Sequence, residues 1–160
     1  MNYFQLFALD SKFNLDTKAL AQSYQNLQKA VHPDRFAHAS NQEQMIAVQK
    51  SSMINDAYQI LKNPLKRAEY MLKVRGTEMP NEQASFSDNS FLMRQMELRE
   101  MLAEVKYADD ITSAIFEVTQ TLDQEFEHLF KAMQIKLSEN TPAANLSACD
   151  DLRKLKFYQK

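Results

Sequence analysis

Leu20, Tyr24, Leu27 and Val31 recur at i, i+4, i+7 and i+11, the spacing that lays apolar side chains along one face of an α-helix. Lys18, Gln22, Gln25 and Lys29 repeat the spacing about 180° round the same helix, so one face packs and the other stays polar and basic. Asp16 is placed to cap the helix start, with Leu15 and Leu20 as a hydrophobic staple across it. Ser40 and Glu43 match a capping box, after which Ile46, Met53, Ile54, Ala57 and Leu61 predict a second amphipathic helix. Asn63-Pro64 then reads as the cap and first residue of a short helix through Leu65, Ala68, Met71 and Leu72, and Gly76 suits the position just past its end.

Residues 77–87 include Pro80 and mostly polar side chains, and they are expected to link a first domain, 1–76, to a second, 88–160. The second carries helical patterns at about 88–106, 110–137 and 142–158, the last opening on Thr141-Pro142, and these predict a three-helix bundle. In its middle helix Ile111, Ile115, Val118, Leu122, Leu129, Met133 and Leu137 hold one stripe. The first of the three has apolar residues on two sides. Phe91, Leu98, Leu102 and Val105 fall within about 60° of each other and suit the bundle core, whereas Leu92 and Met96 lie roughly opposite, beside Met93, Glu97 and Glu100. A second burial surface is implied, against either the first domain or a separate protein.

Composition agrees with an all-α chain: one glycine and four prolines among 160 residues leave few turn-formers. One cysteine, Cys149, excludes an internal disulfide and a cysteine-based zinc site, and it is expected to pack as a small hydrophobe. His38 and His128 read as surface residues, and no His, Asp and Cys combination has metal-ligand spacing, so neither metal nor cofactor is expected. There is no run of about 18 apolar residues and no signal-like N-terminus, which points to a cytoplasmic protein away from membranes. The net charge of −2 is uneven: residues 1–75 hold ten Lys/Arg against six Asp/Glu, and residues 76–160 hold nine against fifteen. That asymmetry fits either two surfaces with different partners or ordinary solvated faces. With a pI near 5.9, the chain lacks the basic excess that nucleic-acid binding needs.

Between the first two long helices lies His32-Pro33-Asp34. Proline fixes its own φ and pushes the preceding residue out of the α region, so the tripeptide forms a turn. An enzyme could use His32 as a base and Asp34 to orient it. The chain, however, has no nucleophile motif and no Gly-rich phosphate loop, so no catalytic residue is assigned and the loop reads as a docking element.

In that helical context His32-Pro33-Asp34, followed by Ile54-Asn55-Asp56-Ala57-Tyr58 and Asn63-Pro64-Leu65-Lys66-Arg67-Ala68-Glu69-Tyr70, resembles a J domain. The opening Asn2-Tyr3-Phe4-Gln5-Leu6-Phe7-Ala8-Leu9 is similar to its short first helix. The stretch from Phe91 through Glu100, Phe-Leu-Met-Arg-Gln-Met-Glu-Leu-Arg-Glu, and the later Leu152-Arg153-Lys154-Leu155-Lys156-Phe157 resemble the C-terminal bundle of the HscB family, J-proteins of iron-sulfur cluster assembly. The likeness covers essentially the whole chain and fits the bacterial type. It implies a co-chaperone that stimulates the ATPase of a DnaK-type chaperone (HscA-like) and presents to it a cluster scaffold protein (IscU-like). It further implies that Gln25, Lys29, His32, Pro33, Asp34 and Arg35 meet the chaperone, and that Leu92, Met93, Met96, Glu97, Glu100 and Phe157 hold the scaffold. The other client class for a J-protein is unfolded polypeptide, but the Gly/Phe-rich segment and zinc cysteines usual in general members are absent here.

Overall fold

The computed structural model describes residues 2–80 and 89–159, and among these the secondary structure is helical with no strand. The elements are α1 (Tyr3–Leu6), α2 (Thr17–Val31), α3 (Asn41–Lys62), α4 (Pro64–Val74), α5 (Asn89–Glu104), α6 (Ile111–Glu139) and α7 (Pro142–Gln159), with 3-10 turns at Pro33–Phe36 and Val105–Tyr107. They fall into two compact units, Met1–Thr77 and Glu78–Lys160. Of the linker expected over 77–87, residues 81–87 lie outside the described residues.

In the first unit α2 and α3 form an antiparallel hairpin. Asp16 caps α2 by accepting from the Lys18 and Ala19 N–H groups, as the sequence predicts. Ser40 accepts from Glu43 N–H, which supplies that half of the capping box at the start of α3. A complete box instead opens α1, where Asn2 and Gln5 bond reciprocally, a feature the hydrophobic pattern did not flag. Leu20 is buried opposite Ala47, Ile54, Ala57 and Leu61 of α3. Ile46 and Met53, expected in this seam, are 42% and 47% exposed. They sit about 80° and 100° round the helix from Ile54, at the edges of a contact kept narrow by two alanines.

Asn63 accepts from Leu65 and Lys66 N–H to start α4. The helix closes with Gly76 at φ 84°, where Gly76 N–H donates to Lys73 O and Thr77 N–H to Leu72 O, the paired bonds of a Schellman end. Arg67 is buried inside the unit, donating to Leu61 O at 2.7 Å while its guanidinium stacks 4.9 Å from the Phe13 ring centroid. Desolvation lowers its pKa. Arg67 thus satisfies a carbonyl at the end of α3 and seats the N-terminal loop on α4. Tyr70 does the same for α1, its hydroxyl accepting from Tyr3 N–H and its ring stacking on that of Tyr3.

In the second unit α7 runs antiparallel along the C-terminal part of α6, and the two pack closely because Ala144 and Ala148 face the seam with Leu152 and Leu155, opposite Met133 and Leu137. Their register is pinned by Lys136 Nζ on the buried Asp151 carboxylate at 2.6 Å. Cys149 is buried against Met79 and the Glu78 carbonyl, the packing expected of it. α5 adds Phe91 and Leu98 to the core.

Three expected core residues are exposed, Leu102, Ile111 and Ile115 at 53%, 47% and 51%, and Val105, Leu122 and Leu129 are only partly buried. α7 reaches back along α6 only as far as Glu125, where Tyr158 meets it. At about 1.5 Å per residue, α6 extends roughly 20 Å beyond that point. Among the described residues no third helix covers this end, so helical period marks the right face while burial stops where the neighbour stops.

Candidate functional site

His32 terminates α2 at φ −56° and ψ 134°, the extended conformation that a following proline demands. Its carbonyl accepts from Arg35 N–H to close the 3-10 turn, and its Nδ1 accepts from Asp34 N–H at 3.2 Å, with the Asp34 carboxylate 3.6 Å away. These contacts orient the imidazole, yet the side chains remain 54% and 94% exposed. The turn is held from α3 by Gln44, whose amide donates to the carbonyls of Phe36, Ala37 and Ala39.

A groove of about 680 Å³ runs between α2 and α3 up to this loop. Gln25, Lys29, His32 and Pro33 line it on one side, and Val48, Ser51, Ser52 and Asn55 on the other. Its floor is braced. Gln28 donates to Ser51 O and accepts from Ser51 Oγ at 2.7 Å, and Tyr24 bonds Asn55 while its ring stacks 4.1 Å from that of Tyr58. Asp34 and Arg35 lie in the turn outside the groove lining, both exposed. The arrangement suits docking of another protein: an anchored loop, a part-apolar trough and the exposed cation of Lys29.

The second surface lies on α5. Met93 and Met96 are each 64% exposed, Leu92 is half-buried, and the exposed Glu97 and Glu100 rim them. Phe157 of α7 flanks the same helix, edge-on to Phe91 at 5.8 Å and under the Arg99 guanidinium at 5.8 Å. Methionine side chains adapt their shape to a partner, so this face suits a partly apolar protein contact.

Two family profiles account for the chain: the DnaJ domain over residues 2–70 and the "HSCB C-terminal oligomerisation domain" over residues 87–160. A co-chaperone HscB homolog of Colwellia psychrerythraea is 62% identical over all of this chain and 91% of its own length. The homolog of Aeromonas salmonicida is 46% identical with the same coverage. The chain belongs to the HscB co-chaperone family. Solved structures agree: chaperone HscB from Vibrio cholerae superposes with a TM-score of 0.93 at 43% identity, covering 99% of this chain and 92% of that one. Human co-chaperone HscB gives 0.88 at 30% identity, covering 99% and 77%.

The relatives are named co-chaperones, not enzymes, and this HscB-family chain carries the J domain that its His32 loop resembles. Among the described residues no group of three or more His, Cys, Asp or Glu side chains could hold a metal ion, and no helix is long and apolar enough to cross a membrane. His38 and His128 are exposed. Sequence periodicity gave no sign of Gln28, Gln44 and Ser51, which brace the α2–α3 groove and its loop, nor of Arg94, Glu125 and Tyr158, which brace α5. Gln44 works through backbone carbonyls of the turn, and the others through contacts between side chains distant in sequence.

Proposed function

We propose that this protein is a cytoplasmic co-chaperone of iron-sulfur cluster assembly. In this reading it binds an IscU-like scaffold on the α5 face, delivers it to a dedicated HscA-like chaperone at the α2–α3 groove, stimulates that chaperone's ATPase and so promotes cluster transfer. It performs no turnover of its own. The observation that carries the reading is the pairing, in one chain, of an exposed and braced His32-Pro33-Asp34 loop with a separate Met-rich, carboxylate-rimmed helix face. One surface engages the ATPase and the other its client.

The test is single-turnover ATP hydrolysis by the chaperone with this protein, with scaffold, and with both. Hydrolysis with both should exceed the product of the separate stimulations, and unfolded polypeptide should not substitute for scaffold. Equal enhancement by unfolded polypeptide would mark a general client holder instead.

Lys29 supplies a charge test. It is exposed at the groove edge, so Lys29→Glu should weaken coupling to the chaperone mainly by slowing encounter. The defect should shrink as salt shortens the Debye length below about 8 to 10 Å. Stopped-flow association at several ionic strengths reads this directly, and an unchanged rate at low salt would move the contact off this face of α2.

A further inference from the structure

On the inner side of α5, next to the docking face, Arg94 donates from Nε to Glu125 Oε1 of α6 at 2.7 Å and from Nη1 to Glu97 Oε2 at 2.8 Å. Tyr158 near the end of α7 donates to the other Glu125 oxygen at 2.6 Å. One guanidinium and one carboxylate therefore tie together all three helices of the unit. The hydrogen bonds to Glu125 and then to Glu97 raise the Arg94 pKa, and burial with the Glu125 contact raises that of Tyr158, so both keep their protons at neutral pH.

The two carboxylates are unequal. Glu125 is 27% exposed and Glu97 57%. The Arg94–Glu125 contact is the less hydrated and less screened, whereas the Arg94–Glu97 contact is open to water. Glu97 can therefore be handed to a partner's cation while Arg94 stays fixed. Tyr158 also ties this turn of α7 to Glu125 of α6, and the preceding residue is Phe157.

We propose that Arg94 is a positioning residue for the α5 docking face: it orients Glu97 on one edge and, through Glu125 and Tyr158, steadies the turn that presents Phe157 on the other. This rests on the scaffold-binding reading given above. Arg94 itself touches no partner. Its contribution is an arrangement already formed before binding, which spares the complex the ordering of two side chains on separate helices.

Titration calorimetry of the full-length protein with purified scaffold tests it. Arg94→Gln should weaken binding about tenfold, Arg94→Lys by less, since lysine keeps the charge but cannot fork between two carboxylates, and Tyr158→Phe by about threefold. The Arg94→Gln loss should shrink markedly in a Glu97→Gln background, which loss of fold alone would not produce. Wild-type protein that fails to bind scaffold refutes the scaffold reading and this inference with it. Wild type that binds while Arg94→Gln binds equally well, or loses the same factor with and without Glu97, refutes this inference alone.

Discussion

Replacing His32 by Gln is expected to abolish stimulation of the partner chaperone's ATPase, a loss of at least about tenfold, while leaving the fold unchanged. The side chain is 54% exposed and its contacts are the Asp34 N–H and carboxylate beside it. Exposed substitutions free of core contacts stay within about 0.5 kcal/mol of the parent stability. Asp34→Asn should behave alike, since its side chain is 94% exposed and its two contacts with His32, through the backbone N–H and the carboxylate 3.6 Å away, lie within the loop and outside the core. Chaperone hydrolysis rates beside thermal melts separate the outcomes. A large drop in melting temperature for either variant would contradict the docking-loop reading, because it would make these residues structural.

That this loop could be singled out from sequence has a local cause. A proline two residues before Arg35, an Asn63-Pro64 pair and a lone Gly76 each act on their own backbone, so the turn at His32, the start of α4 and its Schellman end follow from neighbouring residues alone. Helix faces were legible for a similar reason. Helix ends in space were not: Leu102, Ile111 and Ile115 obey the period of the core and still meet solvent, because periodicity does not say how far α7 accompanies α6. The same limit hid the supports of both surfaces. Arg94 and Glu125 are 31 residues apart and Gln28 and Ser51 are 23 apart, and polar residues on helices give no signal of which distant partner they will meet. Among the candidate contact residues, Leu92, Met93 and Met96 stood out as apolar where a solvated face should be polar, and His32, Pro33 and Asp34 as a turn motif, whereas the roles of Gln25, Lys29, Arg35, Glu97, Glu100 and Phe157 came from the family resemblance.

Truncating Leu92, Met93 and Met96 together to Ala is the experiment that separates an iron-sulfur role from generic co-chaperone action. Met93 and Met96 are 64% exposed, so their truncation removes little buried area, and the half-buried Leu92 accounts for most of any stability change. That change should stay at or below about 1 to 2 kcal/mol, less than a fully buried leucine loses. Partner contacts of this kind lose about 1 to 2 kcal/mol each on truncation, so scaffold affinity should fall at least about 100-fold, even with incomplete additivity. Stimulation of the chaperone without scaffold should persist, since His32 lies in the other unit, while the additional stimulation that scaffold brings should vanish. Calorimetry gives both quantities on one sample. A triple variant that unfolds many degrees lower yet keeps its scaffold affinity would make this stripe part of the fold's own packing and place the client elsewhere. Retained affinity with unchanged melting would remove α5 from the contact altogether.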